Sequence, residues 1–203
     1  MYKIIKRILD FLVSLFAIVI LSPVLAITSI AVKADSKGPV FFVQKRIGKD
    51  KKHFNMYKFR SMRTDTPHDM PTHLLNNPDA FITRVGKFLR KSSLDELPQL
   101  FNILKGDMSI VGPRPALWNQ DDLIAERDKY NANSIRPGLT GWAQVNGRDE
   151  LEIEVKAKFD GEYVEKMSLF FDIKCIVNTA LQVVRHEGVV EGGTGTLNNL
   201  DKE

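Results

Sequence analysis

The sequence predicts a mixed α+β, helix-rich protein. An N-terminal membrane segment is followed by a compact cytosolic domain containing a short β-hairpin and amphipathic interfacial helices. Three observations point there. Phe11 to Val32 is a run of 22 residues without a charge, long enough to sit in a bilayer. Val40–Val43 and Phe54–Met62 read as strands on either side of the turn Ile47-Gly48-Lys49-Asp50. Later apolar residues recur at helical spacing, most regularly at Leu169, Phe170, Ile173, Ile176, Val177, Ala180, Leu181 and Val184. The expected organisation is a membrane helix with its flanks at 1–36, one domain at 37–187 and a flexible Gly-rich tail at 188–203.

The membrane segment carries Ser22-Pro23 near its middle, where proline removes an interior hydrogen bond and bends a helix. Basic residues flank both ends: Lys3, Lys6 and Arg7 before, Lys33, Lys37, Lys45 and Arg46 after. The positive-inside rule places both flanks on the cytoplasmic side. A helix broken at Ser22-Pro23, entering and leaving by one face, satisfies both constraints. Each arm of roughly eleven residues reaches about 16 Å, to mid-bilayer, and Ser22 Oγ is placed to bond a freed carbonyl. A kinked spanning helix is the competing arrangement. A cleaved signal peptide fits worse, because its apolar core is normally shorter.

The remaining composition narrows the class. Lys and Arg number 29 against 25 Asp and Glu, giving net charge +4, and this mild basicity suits an anionic partner. Cys175 is the single cysteine; no intramolecular disulfide forms, and its apolar helical surroundings mark it as packing. Eight Lys or Arg residues fall between Lys45 and Arg63. A solvated basic face is the plain explanation. Interleaved Phe54, Tyr57 and Phe59 suit single-stranded nucleic acid, but adjacency to the membrane segment favours anionic headgroups. Thr64 to Pro78 is loop-like, and His68 and His73 with Asp65 and Asp69 have no fixed metal-ligand spacing. Phe81–Leu89, Leu117–Tyr130 and Leu151–Met167 are helix candidates.

Chemistry concentrates between Arg90 and Pro115. Asp95 and Glu96 sit side by side near Arg90, Lys91 and Arg114, at the start of the apolar-periodic run Leu97, Leu100, Phe101, Leu104. Ser93 and Glu96 match a capping box, which alone would explain both acids structurally. Pro98 would then fall at the fifth helical position, where its ring opposes the Leu94 carbonyl, so a start one or two residues later suits it better. A helix start beside arginines also favours phosphate. An aspartate with an ordinary pKa of ~3.9 is ionised at neutral pH and needs no base to act as a nucleophile. Its repulsion from an anionic phosphate, about 4 kcal/mol at 4 Å and an effective dielectric of 20, has to be cancelled by cations. In the later block Arg136–Arg148, the two arginines suit diphosphate oxygens, the glycines permit close approach to a ligand, and Trp142 suits base stacking or core packing.

Ser-Leu-Asp-Glu-Leu-Pro-Gln-Leu at 93–100, Lys-Gly-Asp-Met-Ser at 105–109 and Val-Gly-Pro-Arg-Pro at 111–115 resemble the bacterial sugar transferases. These are monotopic phosphoglycosyl transferases that start glycan assembly on a polyprenol phosphate. Tyr57-Lys58-Phe59-Arg60-Ser61-Met62 and Arg136-Pro137-Gly138-Leu139-Thr140-Gly141-Trp142-Ala143-Gln144-Val145-Asn146-Gly147-Arg148 are similar to the same family, and the resemblance is to its small, single-domain type. It implies transfer of a sugar 1-phosphate from a UDP-sugar to polyprenol (undecaprenyl) phosphate, releasing UMP. Asp95 attacks the sugar-side phosphorus, and Glu96 holds Mg²⁺ with it or orients it. Arg90, Arg114, Arg136 and Arg148, with Lys58 and Asn146 from the matching blocks, bind substrate. The resemblance also implies the re-entrant helix, with Ser22 and Pro23 at its break.

The implied setting is the bacterial inner membrane, with the domain on the cytoplasmic face. The expected partners are the UDP-sugar, polyprenol phosphate and membrane phospholipid, without nucleic acid, a homo-oligomer being left open. Two other classes are weighed. A glycoside hydrolase needs carboxylates facing each other across a sugar, whereas neighbours on a helix point about 100° apart. A membrane-anchored basic adaptor for anionic lipid or nucleic acid would show salt-dependent binding and no need for Asp95.

Overall fold

The computed structural model describes residues 2–66, 78–147 and 151–185. The tail at 188–203, the histidines His68 and His73, and Arg148 lie outside the described residues. The chain begins with helix α1, Tyr2–Asp35. Its buried residues Lys6, Asp10, Ser14, Thr28 and Val32, with Ala17, Ile18, Leu21 and Leu25 partly buried between them, advance in steps of three and four and so form one face. The opposite face is apolar and uncovered: Ile4, Ile8, Phe16, Val19, Ile27 and Ile30 are all exposed. α1 therefore turns its polar residues inward. Among the described residues it is the one helix long and apolar enough to cross a membrane.

The expected interruption at Ser22-Pro23 does not break the helix, which runs through Pro23 to Asp35. Pro23 has no N–H to offer the Val19 carbonyl four residues earlier. The Ser22 hydroxyl donates to that carbonyl instead, at 2.8 Å, so the lost bond is replaced within one turn.

Both ends of α1 are fastened by polar contacts. Near its start, Asp10 accepts from Ser109 Oγ at 2.7 Å and from the Ile110 amide at 3.1 Å. Lys6 donates to Asp172 at 2.6 Å, and the hydroxyls of Tyr2 and Tyr163 reach the same carboxylate, each at 2.6 Å. At its end, Arg60 donates to the Ser36 carbonyl at 2.6 Å, and Asp35 accepts from the Val85 amide at 3.0 Å.

Strands β1, Phe41–Ile47, and β2, His53–Phe59, form the expected antiparallel hairpin, with Phe41 opposite Phe59 and Ile47 opposite His53. Helix α2, Arg84–Lys91, is capped by Thr83, whose hydroxyl accepts from the Gly86 amide at 3.0 Å. Leu94–Glu96 then forms a separate 3₁₀ turn, and helix α3 spans Gln99–Lys105. The Ser93–Glu96 capping box does not form: Ser93 takes a left-handed conformation, φ 55°, and makes no cap bond. The reason is Pro98, which immediately precedes α3 and shifts its start past both acids.

A small parallel pair follows, β3, Ser109–Val111, against β4, Gly138–Thr140. Here the glycines serve backbone against backbone rather than backbone against ligand. A Cβ at Gly138 would lie 2.1 Å from the Gly112 nitrogen, and one at Gly141 2.0 Å from the Gly112 oxygen. Helices α4, Asp121–Asp128, α5, Trp142–Val145, α6, Ile153–Lys166, and α7, Leu169–Arg185, complete the body. Trp142 packs on Phe171 with centroids 4.9 Å apart and donates to Glu162 at 3.1 Å, which is the core use rather than base stacking. Cys175 is fully buried, and burial pushes its thiol up to about 11, which fits packing.

The apolar stripe of α7 faces outward. Phe171, Asp172 and Cys175 turn in, while Leu169, Phe170, Ile173, Ile176, Val177 and Leu181 are exposed, Phe170 at 78%. Gly138→Ala is expected to cost roughly 1–3 kcal/mol or more by overpacking against Gly112; a lowered thermal midpoint of the detergent-solubilised chain checks this.

Candidate active site

The candidate site lies on the 3₁₀ turn Leu94–Glu96. Leu94 and Leu97 pack into the cluster of Val32, Phe59 and Leu89, while Leu97 also joins Leu100, Ile103 and Met108. The turn therefore rests on the C-terminal arm of α1 and on β2, and its apolar ends aim the two acids at the basic residues of β2. Lys58 Nζ lies 2.7 Å from Glu96 Oε1, and Arg114 Nη1 lies 3.7 Å from the same oxygen.

Asp95 is 8% exposed. Burial pushes its carboxyl up to about 6; Lys58, Arg90 and Arg114 pull the other way, and Glu96 adds to the rise. This revises the expectation of an ordinary aspartate. At pH 7 the group is still mostly ionised, by roughly ten to one, but its charge is held in a poorly solvated place. A desolvated anion surrounded by three fixed cations is a stronger nucleophile toward an electrophile that the cations can also grip.

Lys58 is held in place by Asn102. That side chain is fully buried; its Oδ1 accepts from the Tyr57 amide at 3.0 Å, and its Nδ2 donates to the Asn55 carbonyl at 2.7 Å and to Asp107 at 3.2 Å. Asn102 thus locks β2 to α3 one residue from Lys58. The sequence reading missed it. Its signal was present only as a polar residue on the apolar face of a short helix. Arg60, in the same matched block as Lys58, is likewise structural, since its guanidinium closes the end of α1.

Of the residues singled out in the sequence, the structure brings together Lys58, Arg90, Asp95, Glu96 and Arg114. Arg136 stands elsewhere, donating through Nε to the Gly106 carbonyl at 2.8 Å, beyond the C-terminal end of α3. Asn146 closes α5, its Nδ2 donating to the Trp142 carbonyl at 2.7 Å.

The sequence matches the family described as bacterial sugar transferase over residues 1–186. The chain belongs to the bacterial sugar transferase family. It is 40% identical over 187 residues to the uncharacterized sugar transferase EpsL of Bacillus subtilis (strain 168), covering 92% of this chain and 90% of that protein. It is 40% identical over 193 residues to the UDP-glucose:undecaprenyl-phosphate glucose-1-phosphate transferase of Escherichia coli (strain K12), covering 89% of this chain and 40% of that protein. To the undecaprenyl-phosphate galactose phosphotransferase of Salmonella typhimurium it is 37% identical over 200 residues, with 92% and 42% covered. The chain thus spans about two fifths of the length of the latter two relatives.

The resemblance implies Mg²⁺, and the donor set fits it in one respect. No group of three or more His, Cys, Asp or Glu side chains gathers among the described residues. Mg²⁺ is commonly held by only one or two carboxylates plus water and substrate phosphate. Asp95 and Glu96 supply two, and Glu96 adds to the rise that burial imposes on the Asp95 carboxyl, a repulsion that a divalent ion relieves.

The folded pKa of Asp95 is raised above 3.8 to about 6, so its contribution is fully present below pH ~4 and is lost as pH rises through about 6. Asp95→Asn is expected to stabilise the protein at pH 7.5 by up to about 3 kcal/mol. The gain should shrink toward zero near pH 4, as read from denaturation midpoints at the two pH values.

Proposed function

We propose that this chain transfers a sugar 1-phosphate from a UDP-sugar to undecaprenyl phosphate, releasing UMP, through an aspartyl-phosphosugar intermediate on Asp95. The observation that carries this reading is a buried, mostly ionised carboxylate ringed by Lys58, Arg90 and Arg114, on a turn packed against the apolar N-terminal helix. A basic adaptor has no use for such a group: burying an acid against its own ionisation weakens the fold and adds nothing to binding of anionic lipid or nucleic acid. Relatives named for glucose and for galactose both align over most of the chain, so the donor is proposed as a class of UDP-sugars.

In the first step an Asp95 carboxylate oxygen attacks the sugar-side phosphorus. The bond from that phosphorus to the bridging oxygen breaks, and UMP leaves with the electron pair. In the second, an oxygen of undecaprenyl phosphate attacks the same phosphorus, releasing the Asp95 carboxylate and forming an undecaprenyl diphosphate sugar. Arg90 and Arg114 neutralise phosphate oxygens that would otherwise repel Asp95, by about 4 kcal/mol at 4 Å and an effective dielectric of 20. Lys58 holds Glu96 at 2.7 Å and so fixes the second carboxylate. Mg²⁺, held by Asp95 and Glu96 when bound, would supply further charge neutralisation at the diphosphate. Arg148 is proposed as a further phosphate ligand, from the matched block alone.

The proposed membrane placement is monotopic, at the cytoplasmic face of the inner membrane, with α1 re-entrant by a bend at Pro23 that leaves the helix continuous. What supports it is that both arms of α1 touch one body. Asp10 is tied to β3 near its start, and Val32 is buried against Phe59 and Leu89 near its end. A straight helix crossing a hydrocarbon core of about 30 Å leaves only one end beside a water-side domain. The exposed apolar face of α7 extends the lipid-facing surface.

Two outcomes test the chemistry. Asp95→Asn should lower UMP release by three orders of magnitude or more while the protein stays folded; substantial residual turnover would remove Asp95 as nucleophile. Wild-type kcat/KM should fall below an apparent pKa near 6, the value of Asp95 in the free enzyme. A profile flat from pH 5 to 8 would contradict that assignment. Acid quenching after incubation with a radiolabelled UDP-sugar, without lipid, should leave label on the polypeptide.

A further inference from the structure

A second cluster of positive charge lies away from the nucleophile. A cavity of about 100 Å³ between the start of α1, β3 and the turn before β4 is lined by Lys3, Lys6, Arg7, Lys49 and Arg136, with Asp10 as the one acid among the described residues that line it. It opens at the opposite end of α3 from the Leu94–Glu96 turn. Arg7 donates to the carbonyls of Ile103 and Leu104, the last turn of α3, at 2.7 and 2.9 Å, and Arg136 to that of Gly106. The seven residues of α3 span about 10 Å, so one phosphate cannot serve both places.

The plain explanation is structural: Lys6 is held by Asp172 and Asp10, and the two arginines cap α3. That accounts for only part of the charge. A helix C-terminus carries about half a negative charge, against two full guanidinium charges, and each guanidinium has five N–H donors, of which Arg136 gives one to Gly106. Lys3 and Lys49 are exposed at the rim, Lys49 lying 3.7 Å from the exposed Asp50. Gly106, at φ 95°, lets the guanidiniums converge: a Cβ there would lie 3.1 Å from Arg7 Nη2. A concave, predominantly positive site concentrates an anion. Its position names the anion's carrier, because the cavity lies at the first turns of α1, whose other face carries the exposed Ile4, Ile5 and Ile8.

We infer that this cavity binds the phosphate of an anionic phospholipid headgroup, with the acyl chains running along the apolar face of α1. The inference rests on the membrane placement proposed above and not on the transfer chemistry. Such a site fixes the depth and tilt of α1 at the cytoplasmic leaflet, and with them the height of the Asp95 turn above the lipid.

The test uses the full chain in detergent micelles, titrated by calorimetry with short-chain phosphatidylglycerol, short-chain phosphatidylcholine and inorganic phosphate. Phosphatidylglycerol is expected to bind at least tenfold more tightly than either of the others. Lys3→Ala/Lys49→Ala is expected to weaken it about tenfold, while the charge-matched control Lys87→Ala/Lys158→Ala, at exposed lysines elsewhere, leaves it unchanged. Equal affinity for the two lipids, or equal loss in both variants, overturns the site. Phosphate binding as tightly as phosphatidylglycerol would make it a free-phosphate site and overturn the lipid assignment. UMP release by the same samples keeps the readings apart. An active enzyme without lipid preference refutes this inference alone, and wild-type protein that fails to float with vesicles refutes the membrane placement beneath it.

Discussion

The structure depends on a carboxylate in an unusual position: Asp10, 4% exposed on the inner face of a helix whose outer face is apolar and uncovered. It accepts from Ser109 Oγ and the Ile110 amide, while Lys6 one turn earlier reaches Asp172 on α7. Three elements distant in sequence, α1, β3 and α7, are joined through these two side chains. An apolar helix in hydrocarbon has little hydrophobic reason to prefer a protein surface over lipid, so directional polar contacts have to supply the attachment. Burial makes them unforgiving. Removing one partner leaves an uncompensated charge, which costs far more than the pair contributes.

That attachment reaches the chemistry through packing. The C-terminal arm of α1 supplies Leu25 and Val32 to the cluster that holds Leu94 and Leu97. Leu97 also belongs to the cluster built from Leu100, Ile103 and Met108. The acids between these leucines therefore cannot relax toward solvent without opening apolar contacts on both sides. Asn102 makes the corresponding lock on the opposite wall, holding β2 so that Lys58 meets Glu96. The raised Asp95 carboxyl is thus sustained by neighbours that have nothing to do with phosphate.

Local structure follows the local patterns of the chain closely. The hairpin, α2, α6 and α7 fall where period and turn residues put them, and the role of Ser22 Oγ beside Pro23 follows from a proline's missing donor. Pro98 moves the helix start past Ser93 and Glu96, as its place in the sequence predicts, though by more than the one or two residues expected. The failures are non-local. The glycines of the Arg136–Arg148 block look suited to a ligand, but Gly138 and Gly141 meet Gly112 from a segment 26 or more residues earlier. The α7 stripe suits either a core or an interface, and its inward face is the narrower one with Phe171, Asp172 and Cys175. Periodicity marks an apolar face without saying whether protein or lipid covers it. The cationic cluster at Asp95 was legible in part, because Arg90, Asp95, Glu96 and Arg114 are near in sequence. Lys58 entered through the family motif, and Asn102 not at all.

The two basic regions impose opposite demands on the same short helix. At the entry of α3, charges must stay mobile enough in their bonding to exchange one phosphate ester for another. Arg114 approaches Glu96 at 3.7 Å, while Lys58 holds the same oxygen at 2.7 Å. At its exit, Arg7 and Arg136 are anchored on main-chain carbonyls at 2.7 to 2.9 Å, a geometry suited to holding rather than turning over. α3 is one continuous helix over its seven residues, buried along Gln99, Leu100, Asn102 and Ile103. With the headgroup site inferred above, seating its exit end would also set the position of the turn at its entry. A reaction between a soluble nucleotide-sugar and a lipid phosphate needs a nucleophile held at one height relative to the leaflet, and a stiff strut between an anchoring site and the reacting carboxylate is a direct way to set that height.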